Sequence, residues 1–525
     1  NNKFYKKYQN PGEVFIIFDY TRKIRKAMIM EKKKQARQAK KEEMAKKEET
    51  KKKNTDFPKD MEQLEKYLKE YFHESSDVII LPIQTKKEKA IILFIDGLVN
   101  IDLVDRDILK PLLDDNFTGD VLNSITVNQK EAVTDLIEAI DKVLNGNTAI
   151  FYTQSPEIIC ADIRGWDKRG IETPDSESSI RGSKEGFTET LRTNTAMLRR
   201  RIKSPDLVMV NFVIGKQTRT NVTIAYIDKI VNENVLKRLK DKLAKIDTDS
   251  ILDSGYIEQY IEDNPYNPIA TVGSTQKPDK LAGMILEGRI AIFCDCTPHV
   301  LYVTTLFIEN LQVQEDYYSR VIISSILRFI RLMALLISIL LPGFFISLVT
   351  YNQEMIPEVF LITLVSARSK IPLPAGAEMF FMLVMFELLR ESGTRLPRPI
   401  GSAISIVGAL IIGETAVSAG IVGAPAVIIL GLTAVCSFII PSLTEFMTLY
   451  RFFFLFLGGV MGLIGISAGV VIMLTHLVST SSLGVPILSA FSKEELRDTI
   501  PRQPLRNMVY RPDEISGENR IRRRR

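Results

Sequence analysis

The stretch FFFLFLGGVMGLIGISAGVVIMLTH, residues 452 to 476, contains no charged side chain and is the longest apolar run in the chain. At a rise of about 1.5 Å per residue, roughly twenty apolar residues suffice to cross the hydrocarbon layer of a bilayer. A helix this apolar on every side belongs in a membrane or a large protein core. We therefore expect a membrane domain, with the rest of the sequence arranged around it.

Other apolar segments precede that stretch, and together they occupy residues 329 to 479. They are 332–350, 374–389, 403–420 and 424–440. The first and last carry no charge, whereas the second holds Glu378 and Glu387 and the third holds Glu414. This pattern predicts an all-α polytopic membrane domain with about four to five spans, of which 374–389 is the one that suits a short or re-entrant helix.

Arginines flank these segments and bear on the topology. They are Arg328, Arg331, Arg390, Arg395, Arg398 and Arg451. Under the positive-inside rule they mark cytoplasmic faces and agree with alternating passes from a cytosolic N-terminus. A fifth full pass would place the arginine-rich C-terminus outside, which the rule disfavours. Either one apolar segment does not cross, or the C-terminus departs from the rule.

Charge is concentrated at the two ends of the chain. Residues 22 to 53 carry 15 Lys and Arg against 5 Asp and Glu, and residues 493 to 525 carry 10 against 6. Few aromatic residues accompany these charges, which favours membrane lipid over nucleic acid as their partner. We predict a basic extension over residues 1–57, disordered or helical, and a basic C-terminal tail over residues 480–525.

Composition narrows the class of protein. Of the 525 residues, 46% are apolar and 25% are charged, yet residues 452 to 492 hold no charge at all. Such an uneven distribution excludes a plain soluble enzyme and also a transporter embedded from end to end. Four cysteines are too few for a secreted disulfide framework. We expect the first three hundred residues to be cytosolic.

Residues 58 to 320 alternate between strand-like and helix-like patterns. Apolar residues at helical spacing, as in 131–144, 185–202 and 235–246, predict helices, and runs rich in β-branched and aromatic residues predict strands. The strand-like runs are 78–83, 89–97, 148–153, 206–215, 220–228, 289–295 and 300–306. We predict an α/β cytosolic region of two subdomains, 58–155 and 156–320.

The sequence offers little for catalysis or metal binding. Its three histidines are far apart, and the group Cys294, Cys296 and His299 lacks the second ligand pair of a zinc site. We find no phosphate-binding loop, dinucleotide fingerprint or nucleophile elbow in the sequence. We therefore predict that the chain is not an enzyme and has no catalytic residue, bound metal or cofactor.

Glu414 is the sharpest candidate for a functional residue. A carboxylate in mid-span is costly and usually faces a bundle interior or a water-filled path. Rings of acidic side chains are also a common device for cation selectivity. The alternative is a structural hydrogen bond to a neighbouring helix.

Small residues lie in the same segment, and Ser405, Gly408 and Gly413 would let helices approach closely. Ordinary packing within one subunit and the lining of a pore between subunits both favour such residues. Glu378 and Glu387 complete the candidate pore or interface residues. They stand nine positions apart, on opposite sides of a helix, so they should not share a partner.

Several blocks of sequence resemble one known family. They are RGIETPDSESSIRGSKEGFTETLRTNTAMLRRRIKSPDL (169–207), LDSGYIEQYIEDNP (252–265), PDKLAGMILEGRIAI (278–292), FELLRESGTRLPRPIGSAISIVGALIIGETAVSAGIV (386–422) and LGVPILSAF (483–491). In this order they resemble the A subunits of the spore germination GerA family and cover most of residues 150 to 490. Stage V sporulation protein AF shares this architecture and is the alternative within the resemblance.

The resemblance implies a germinant receptor subunit in the inner membrane of a bacterial endospore, working with a transporter-like B subunit and a lipoprotein C subunit. It further implies a homo-oligomer, a pentamer in the family's picture, that forms a ligand-gated channel releasing monovalent cations during germination. A non-conducting membrane scaffold for the germinant-binding B subunit is the alternative. A secondary transporter is disfavoured, because the sequence has few spans and no inverted repeat.

The resemblance also carries over individual residues of the soluble region. The matching positions are Arg181, Glu185, Asn194, Arg199, Arg200, Arg201, Glu287 and Arg289. It implies that they build the soluble domain and its assembly contacts between subunits rather than a catalytic site. In the third span the family often has glutamine where this chain has Glu414, a difference that bears on ion preference or gating.

Overall fold

The structure is a computed structural model of the whole chain. It describes residues 60–85, 89–114, 117, 119–153, 157–165, 182–369, 371–395, 413–488, 498–499, 501–512, 515–517 and 519–522. The basic extension expected over residues 1–57 lies outside this range. The described residues form two compact units, one made of 60–71 and 78–165, the other of 72–77 and 182 onwards.

Each unit contains a five-stranded sheet. The strands are β1 (Val78–Gln84), β2 (Lys89–Ile95), β3 (Lys130–Val133), β4 (Thr148–Tyr152), β5 (Ile158–Ala161), β6 (Leu207–Ile214), β7 (Thr220–Ile227), β8 (Val272–Thr275), β9 (Ile290–Cys294), β10 (Val300–Val303), and the two-residue pair β11 (Ser481–Ser482) and β12 (Val485–Pro486).

The helices cover the sheets and build the membrane domain. They are α1 (Met61–Tyr71), α2 (Ile101–Leu103), α3 (Lys110–Leu113), α4 (Val121–Ser124), α5 (Leu136–Leu144), α6 (Leu191–Arg201), α7 (Glu233–Ala244), α8 (Ser254–Ile261), α9 (Pro278–Leu286), α10 (Glu315–Tyr318), α11 (Val321–Thr350), α12 (Glu358–Arg368), α13 (Ala375–Arg395), α14 (Ala424–Phe438) and α15 (Thr444–Ser479). A π-helix, Val104–Leu109, links α2 to α3, and residues 413–418 are also helical.

The two sheets have the same topology. The first has the order β1-β2-β4-β5-β3 and the second the order β6-β7-β9-β10-β8, with antiparallel pairs throughout. In each unit one helix precedes the first strand, and further helices follow the second and third strands. Both soluble units therefore repeat one α–β–β–α–β–α–β–β motif, which the sequence patterns did not reveal.

Local sequence explains the helices of the second unit. Asn232 caps α7 by accepting a hydrogen bond from the N–H of Asn234. Val235, Leu239 and Leu243 recur every fourth residue and are all buried in the core under β6 and β7. Burying each such side chain contributes roughly 1.5–3 kcal/mol, so this face fixes α7 on the sheet.

The helix α15 is a hairpin rather than one rod. At Gly462 the backbone has φ 62° and ψ −143°, which glycine adopts readily, and the chain reverses there. Residues on either side of the reversal meet again, because Tyr450 Oη lies 2.7 Å from Nδ1 of His476 and a Cβ on Gly469 would come 2.7 Å from the ring of Phe454. The stretch 452–476, expected to cross as one helix, forms two antiparallel arms.

Both ends of the hairpin lie against the second α/β domain, which comprises residues 182–311 together with 72–77. Phe446 packs against Phe307 with ring centroids 5.6 Å apart, and at the other end Asn267 Nδ2 donates to Thr480 Oγ1 at 3.0 Å. The bend at Gly462 lies against the far end of α11. The hairpin thus leaves the soluble domain and returns to it.

The chain after the hairpin enters the soluble domain. Leu483 and Val485 are buried in the core of the second sheet, and Arg238 Nη1 donates to the carbonyl of Leu483 at 3.0 Å. Gly484 between them has φ 82°, and a Cβ there would collide with the guanidinium of Arg238. The positive φ therefore favours glycine at this position.

These observations confirm an α/β region followed by a helical region. Within the described residues, two helical stretches, Val321–Thr350 and Pro441–Ser479, are long and apolar enough to cross a membrane. The strands expected at 78–83, 206–215 and 220–228 are present with small shifts of their ends. The strands β3, β5 and β8 were missed, because each has only four residues and its neighbours supply its place in the sheet. The helix expected over 131–144 begins only at Leu136, and the start of that stretch belongs to β3.

Candidate functional site in the membrane helices

A proline within α11 creates the first polar feature of the membrane domain. Pro342 has no N–H, so the carbonyl of Ser338, four residues earlier, loses its helical donor. Arg451 of α15 replaces that donor, with Nε 3.0 Å from the Ser338 carbonyl oxygen and Nη2 2.7 Å from Ser338 Oγ. The guanidinium is completely buried, and it fixes the hairpin to the proline site of α11.

Glu387 of α13 balances the charge of Arg451. Its Oε1 lies 3.2 Å from Arg451 Nη1, and its Oε2 lies 2.6 Å from Nη2 of Arg390. Thr448 Oγ1 donates a further hydrogen bond to Oε1 at 3.4 Å. These contacts join α11, α13 and α15 through one buried network.

Glu378 is engaged at the other end of α13. Its side chain is 2% exposed, Oε1 accepts the backbone N–H of Gly423 at 2.6 Å, and Oε2 lies 3.3 Å from Nη2 of Arg368. Because Gly423 is the N-cap of α14, the carboxylate also lies at the positive end of that helix dipole. Glu378 and Glu387 have separate partners among these contacts, in agreement with their spacing.

Glu414 is in a different situation from the other two carboxylates. It is exposed, and it makes no hydrogen bond or ion pair with the residues that the structure describes. Gly413 beside it is buried, and a Cβ there would come 3.3 Å from Cγ1 of Val427. Of the other small residues singled out in this segment, Ser405 and Gly408 lie outside the described residues.

Of the three candidate carboxylates, Glu414 is the one without a partner among the described residues. Glu378 and Glu387 are neutralised by arginines of the same chain, so their charges serve helix packing within the chain. In the parts of the chain that the structure describes, no group of three His, Cys, Asp or Glu side chains is arranged to hold a metal ion. A single accessible carboxylate can attract a hydrated cation but cannot coordinate one alone.

In the soluble region, Arg199 lies in the core. Its Nε and Nη2 both lie 2.7 Å from the carboxylate of Asp77, and Nη2 also donates to the carbonyl of Leu207 at 2.9 Å. Asn194 on the same helix is buried as well and holds the backbone N–H and carbonyl of Thr188. Both side chains fix α6 within the second α/β domain.

Arg200 and Arg201 lie nearer the surface. Arg201 Nη2 lies 2.7 Å from Glu185 Oε2, and Arg200 Nη2 lies 3.6 Å from Glu185 Oε1. All three side chains are partly exposed. Arg181 of the same sequence block lies outside the described residues.

Glu287 and Arg289 belong to another network. Arg289 is buried and pairs with Glu287, at 2.6 Å, and with Glu309. Glu287 also pairs with Arg522 near the C-terminus. Burial alone would raise the pKa of Glu287, but the guanidinium groups of Arg289 and Arg522 hold the pKa below its ordinary value.

Sequence reasoning missed the roles of Pro342 and Arg451. Arg451 served only as a marker of membrane topology, although an arginine at the edge of an apolar run and a proline inside another are both informative. A proline in a membrane helix leaves a carbonyl without a donor, and a buried arginine needs acceptors. Their pairing across more than a hundred residues is visible only in the fold.

The family described as Bacillus/Clostridium GerA spore germination protein matches residues 66 to 514. The chain belongs to this family. The matched range includes both five-stranded sheets and the membrane helices.

Several individual proteins are similar to this chain. Spore germination protein KA of Bacillus subtilis (strain 168) is 39% identical over 463 residues, covering 85% of this chain and 85% of its own. The uncharacterized membrane protein YfkQ of the same organism is 39% identical over 439 residues, covering 82% and 86%. The crystal structure of the N-terminal domain of the A subunit of the Bacillus megaterium spore germinant receptor GerK3 is 33% identical, covers 47% of this chain and 95% of its own, and has a TM-score of 0.38.

The names of the relatives and the apolar helices indicate what kind of protein this chain is. Several of the similar proteins are named as spore germination proteins, among them proteins B1 and A1 of Bacillus subtilis (strain 168). The two apolar helical stretches make this chain a membrane-associated member of the family.

Proposed function

We propose that this chain is the A subunit of a germinant receptor in the inner membrane of a bacterial spore, with its α/β domains in the cytosol. Copies assemble into a homo-oligomer, and their membrane helices surround a path through which monovalent cations leave the spore during germination. A transporter-like B subunit and a lipoprotein C subunit complete the receptor. GerA-family membership, with relatives named as spore germination proteins, supports this assignment.

The exposed carboxylate of Glu414 is the observation that carries the channel proposal. The membrane domain neutralises two of its candidate carboxylates with arginines but leaves Glu414 accessible and without a described partner. A charged side chain at a lipid-facing position would be costly, so an accessible carboxylate in this segment favours contact with water or a neighbouring subunit. In an oligomer, a ring of such carboxylates would concentrate cations.

The contacts of the membrane domain support a cytosolic location for the second α/β domain and the described C-terminal residues. The base of α11, both ends of the α15 hairpin and the described C-terminal residues contact the second α/β domain. The hairpin contributes two passes or none. An even total number of passes therefore accounts for the described C-terminal residues and the second α/β domain lying on one face. This arrangement also satisfies the positive-inside rule.

Cation flux from proteoliposomes tests the proposal. The purified chain is reconstituted alone and with its B and C subunits, and K⁺ and Na⁺ release is recorded for the wild type and for Glu414→Gln. Because the substitution removes the ring of charge while preserving side-chain size, we expect cation flux to fall about tenfold or more. Glu358→Gln, which changes an exposed carboxylate in the first turn of α12, is the matched control and should conduct like the wild type.

Two results would contradict the proposal. Flux that is equal for the wild type and Glu414→Gln would remove this residue from the path. No flux from the folded, oligomeric chain, even with its partner subunits and germinant, would favour a non-conducting scaffold.

A further inference from the structure

The described C-terminal residues, 498–499, 501–512, 515–517 and 519–522, form a strap along the protein. The strap has one end on the base of α11, where the chain enters the membrane domain, and the other on the second α/β domain. These two attachments are carried by different residues, and each uses charged side chains bound to groups of the same chain.

Asp498 begins the attachment at the base of α11. Its Oδ1 lies 2.9 Å from Nη1 of Arg328, and its Oδ2 accepts a hydrogen bond from Tyr317 Oη at 2.8 Å. Arg328 is 1% exposed and also lies 3.2 Å from Asp316, so the strap supplies the second of its two carboxylate partners. Burial, followed by the charge of Asp498, raises the pKa of Tyr317, which keeps that hydroxyl protonated as a donor.

Arg502 continues the attachment. Its Nη1 donates to the carbonyl of Ser319 at 2.7 Å and its Nη2 to the carbonyl of Tyr317 at 3.0 Å, while its backbone N–H donates to Ser325 Oγ at 3.0 Å. The ring of Tyr317 lies within 5.7 Å of the Arg502 guanidinium and within 5.3 Å of that of Arg328. Tyr317 thus contacts one cation of the strap and one of α11, in a contact type that stabilises by about 0.5–2 kcal/mol.

The other end of the strap binds the second α/β domain. Gly517 donates its N–H to the carbonyl of Ile230 at 2.8 Å, and Ser516 forms a β-bridge with Val231. Arg511 Nε donates to the carbonyl of Leu286 at 2.9 Å, and Arg522 pairs with Glu287. This end is therefore anchored to the segment after β7 and to the end of α9.

We propose that the strap couples the second α/β domain to the first membrane helix, with Asp498 and Arg502 as positioning residues. The strap is bound at one end to the second α/β domain and at the other to the base of α11. A displacement of the domain therefore pulls on the base of α11 through Arg328, Tyr317 and the Ser319 carbonyl. The strap acts by position and touches no solute. Its consequence for cation release rests on the function proposed above, whereas the mechanical coupling does not.

Amide hydrogen exchange on the full chain in nanodiscs tests the coupling. In Arg502→Ala, two charge-assisted hydrogen bonds are lost, so amides of residues 317–331 should exchange about tenfold faster or more. Arg502→Lys, which keeps the charge and can reach one of the two carbonyls, should restore part of the protection. Arg506→Ala removes an exposed arginine of the same segment and should exchange like the wild type.

A substitution at the domain end of the strap distinguishes coupling from a local loss of contacts. Arg522→Ala changes a contact with Glu287 in the soluble domain, and coupling predicts faster exchange at residues 317–331 as well as at the strap. Unchanged exchange at 317–331 in Arg522→Ala would overturn the proposal, because faster exchange in Arg502→Ala alone reports only the loss of its direct contacts with Tyr317 and Ser319. Faster exchange together with absent flux in every chain, the wild type included, would support the strap and contradict the channel.

Discussion

At the scale of single residues, the membrane domain uses arginine as a structural cation. Arg451 fills the hydrogen-bonding deficit that Pro342 creates at Ser338, and Glu387 neutralises its charge. The presence of carboxylates in the apolar segments could be predicted from the sequence, but their partners could not. In the sequence, Glu378, Glu387 and Glu414 are all carboxylates within apolar segments. The fold shows that the first two are paired with arginines and that the third is exposed.

The pairing of Pro342 with Arg451 gives a test by double substitution. Arg451→Ala leaves Glu387 with one cation fewer and the Ser338 carbonyl without a donor, so it should destabilise the chain by about 3–5 kcal/mol. Pro342→Ala restores a backbone N–H to that carbonyl. We therefore expect Arg451→Ala to lower the free energy of unfolding by about 1 kcal/mol less in the Pro342→Ala background than in the wild type. The measurement is unfolding of the detergent-solubilised chain.

Additive effects of the two substitutions would contradict the assigned role of Arg451. In that case the Ser338 carbonyl would be satisfied without the guanidinium. Arg390→Ala, which removes the other cation at Glu387 without touching Ser338, is the control and should show no coupling with Pro342→Ala.

At the scale of elements, apolar runs predicted the long helices and most of the buried strands but not the joints between them. The apolar run 452–476 has no signal that distinguishes one long helix from two short arms, except the glycines among which Gly462 lies. Arms of about 17 residues are about 26 Å long, close to the thickness of the hydrocarbon layer. The reversal depends on a contact with the end of α11 that lies more than a hundred residues away in sequence.

The joint between α8 and the start of the hairpin is sensitive to pH. Burial, and then the carboxylates of Glu262, Glu445 and Asp253, raise the pKa of Glu258 to about 7. The folded chain therefore holds this proton more tightly than the unfolded chain, whose ordinary pKa is 4.5. The contribution of Glu258 to stability is fully present below pH 4.5 and is lost as the pH rises to about 7.

Glu258→Gln should remove that dependence. At pH 8 the variant should be more stable than the wild type by about 2–3 kcal/mol, and at pH 4 the two should be nearly equal, because both side chains are then neutral. Thermal unfolding at the two pH values measures the difference. Asp241→Asn, which alters an exposed carboxylate on α7, is the control and should change the stability equally at both pH values. If Glu258→Gln changes the stability equally at pH 4 and pH 8, the pH dependence does not come from the Glu258 carboxyl.

At the scale of the whole molecule, two copies of one soluble motif precede a helical membrane domain, and the chain then returns to the second copy. The uneven charge and the apolar runs were enough to predict an α/β region joined to a membrane domain. The return of the C-terminal residues to the second α/β domain could not be predicted, because their sequence indicates only a basic tail. Their anchoring depends on Glu287, Arg328 and Tyr317, which lie about 170 to 235 positions earlier in the sequence.

The central claim is that the second α/β domain, the base of α11, both ends of the hairpin and the strap lie on one face of the membrane, with the bend at Gly462 on the other. Cysteine labelling tests it most directly. In a chain with Cys160, Cys294, Cys296 and Cys436 replaced by serine, single cysteines are placed at Met461→Cys, beside the bend, and at Arg506→Cys, in the strap.

A membrane-impermeant maleimide is applied to intact protoplasts and to permeabilised ones. We expect Met461→Cys to be labelled in both and Arg506→Cys to be labelled only after permeabilisation, since both side chains are exposed but lie on opposite faces. Labelling of Arg506→Cys in intact protoplasts, or of both positions only after permeabilisation, would contradict the account.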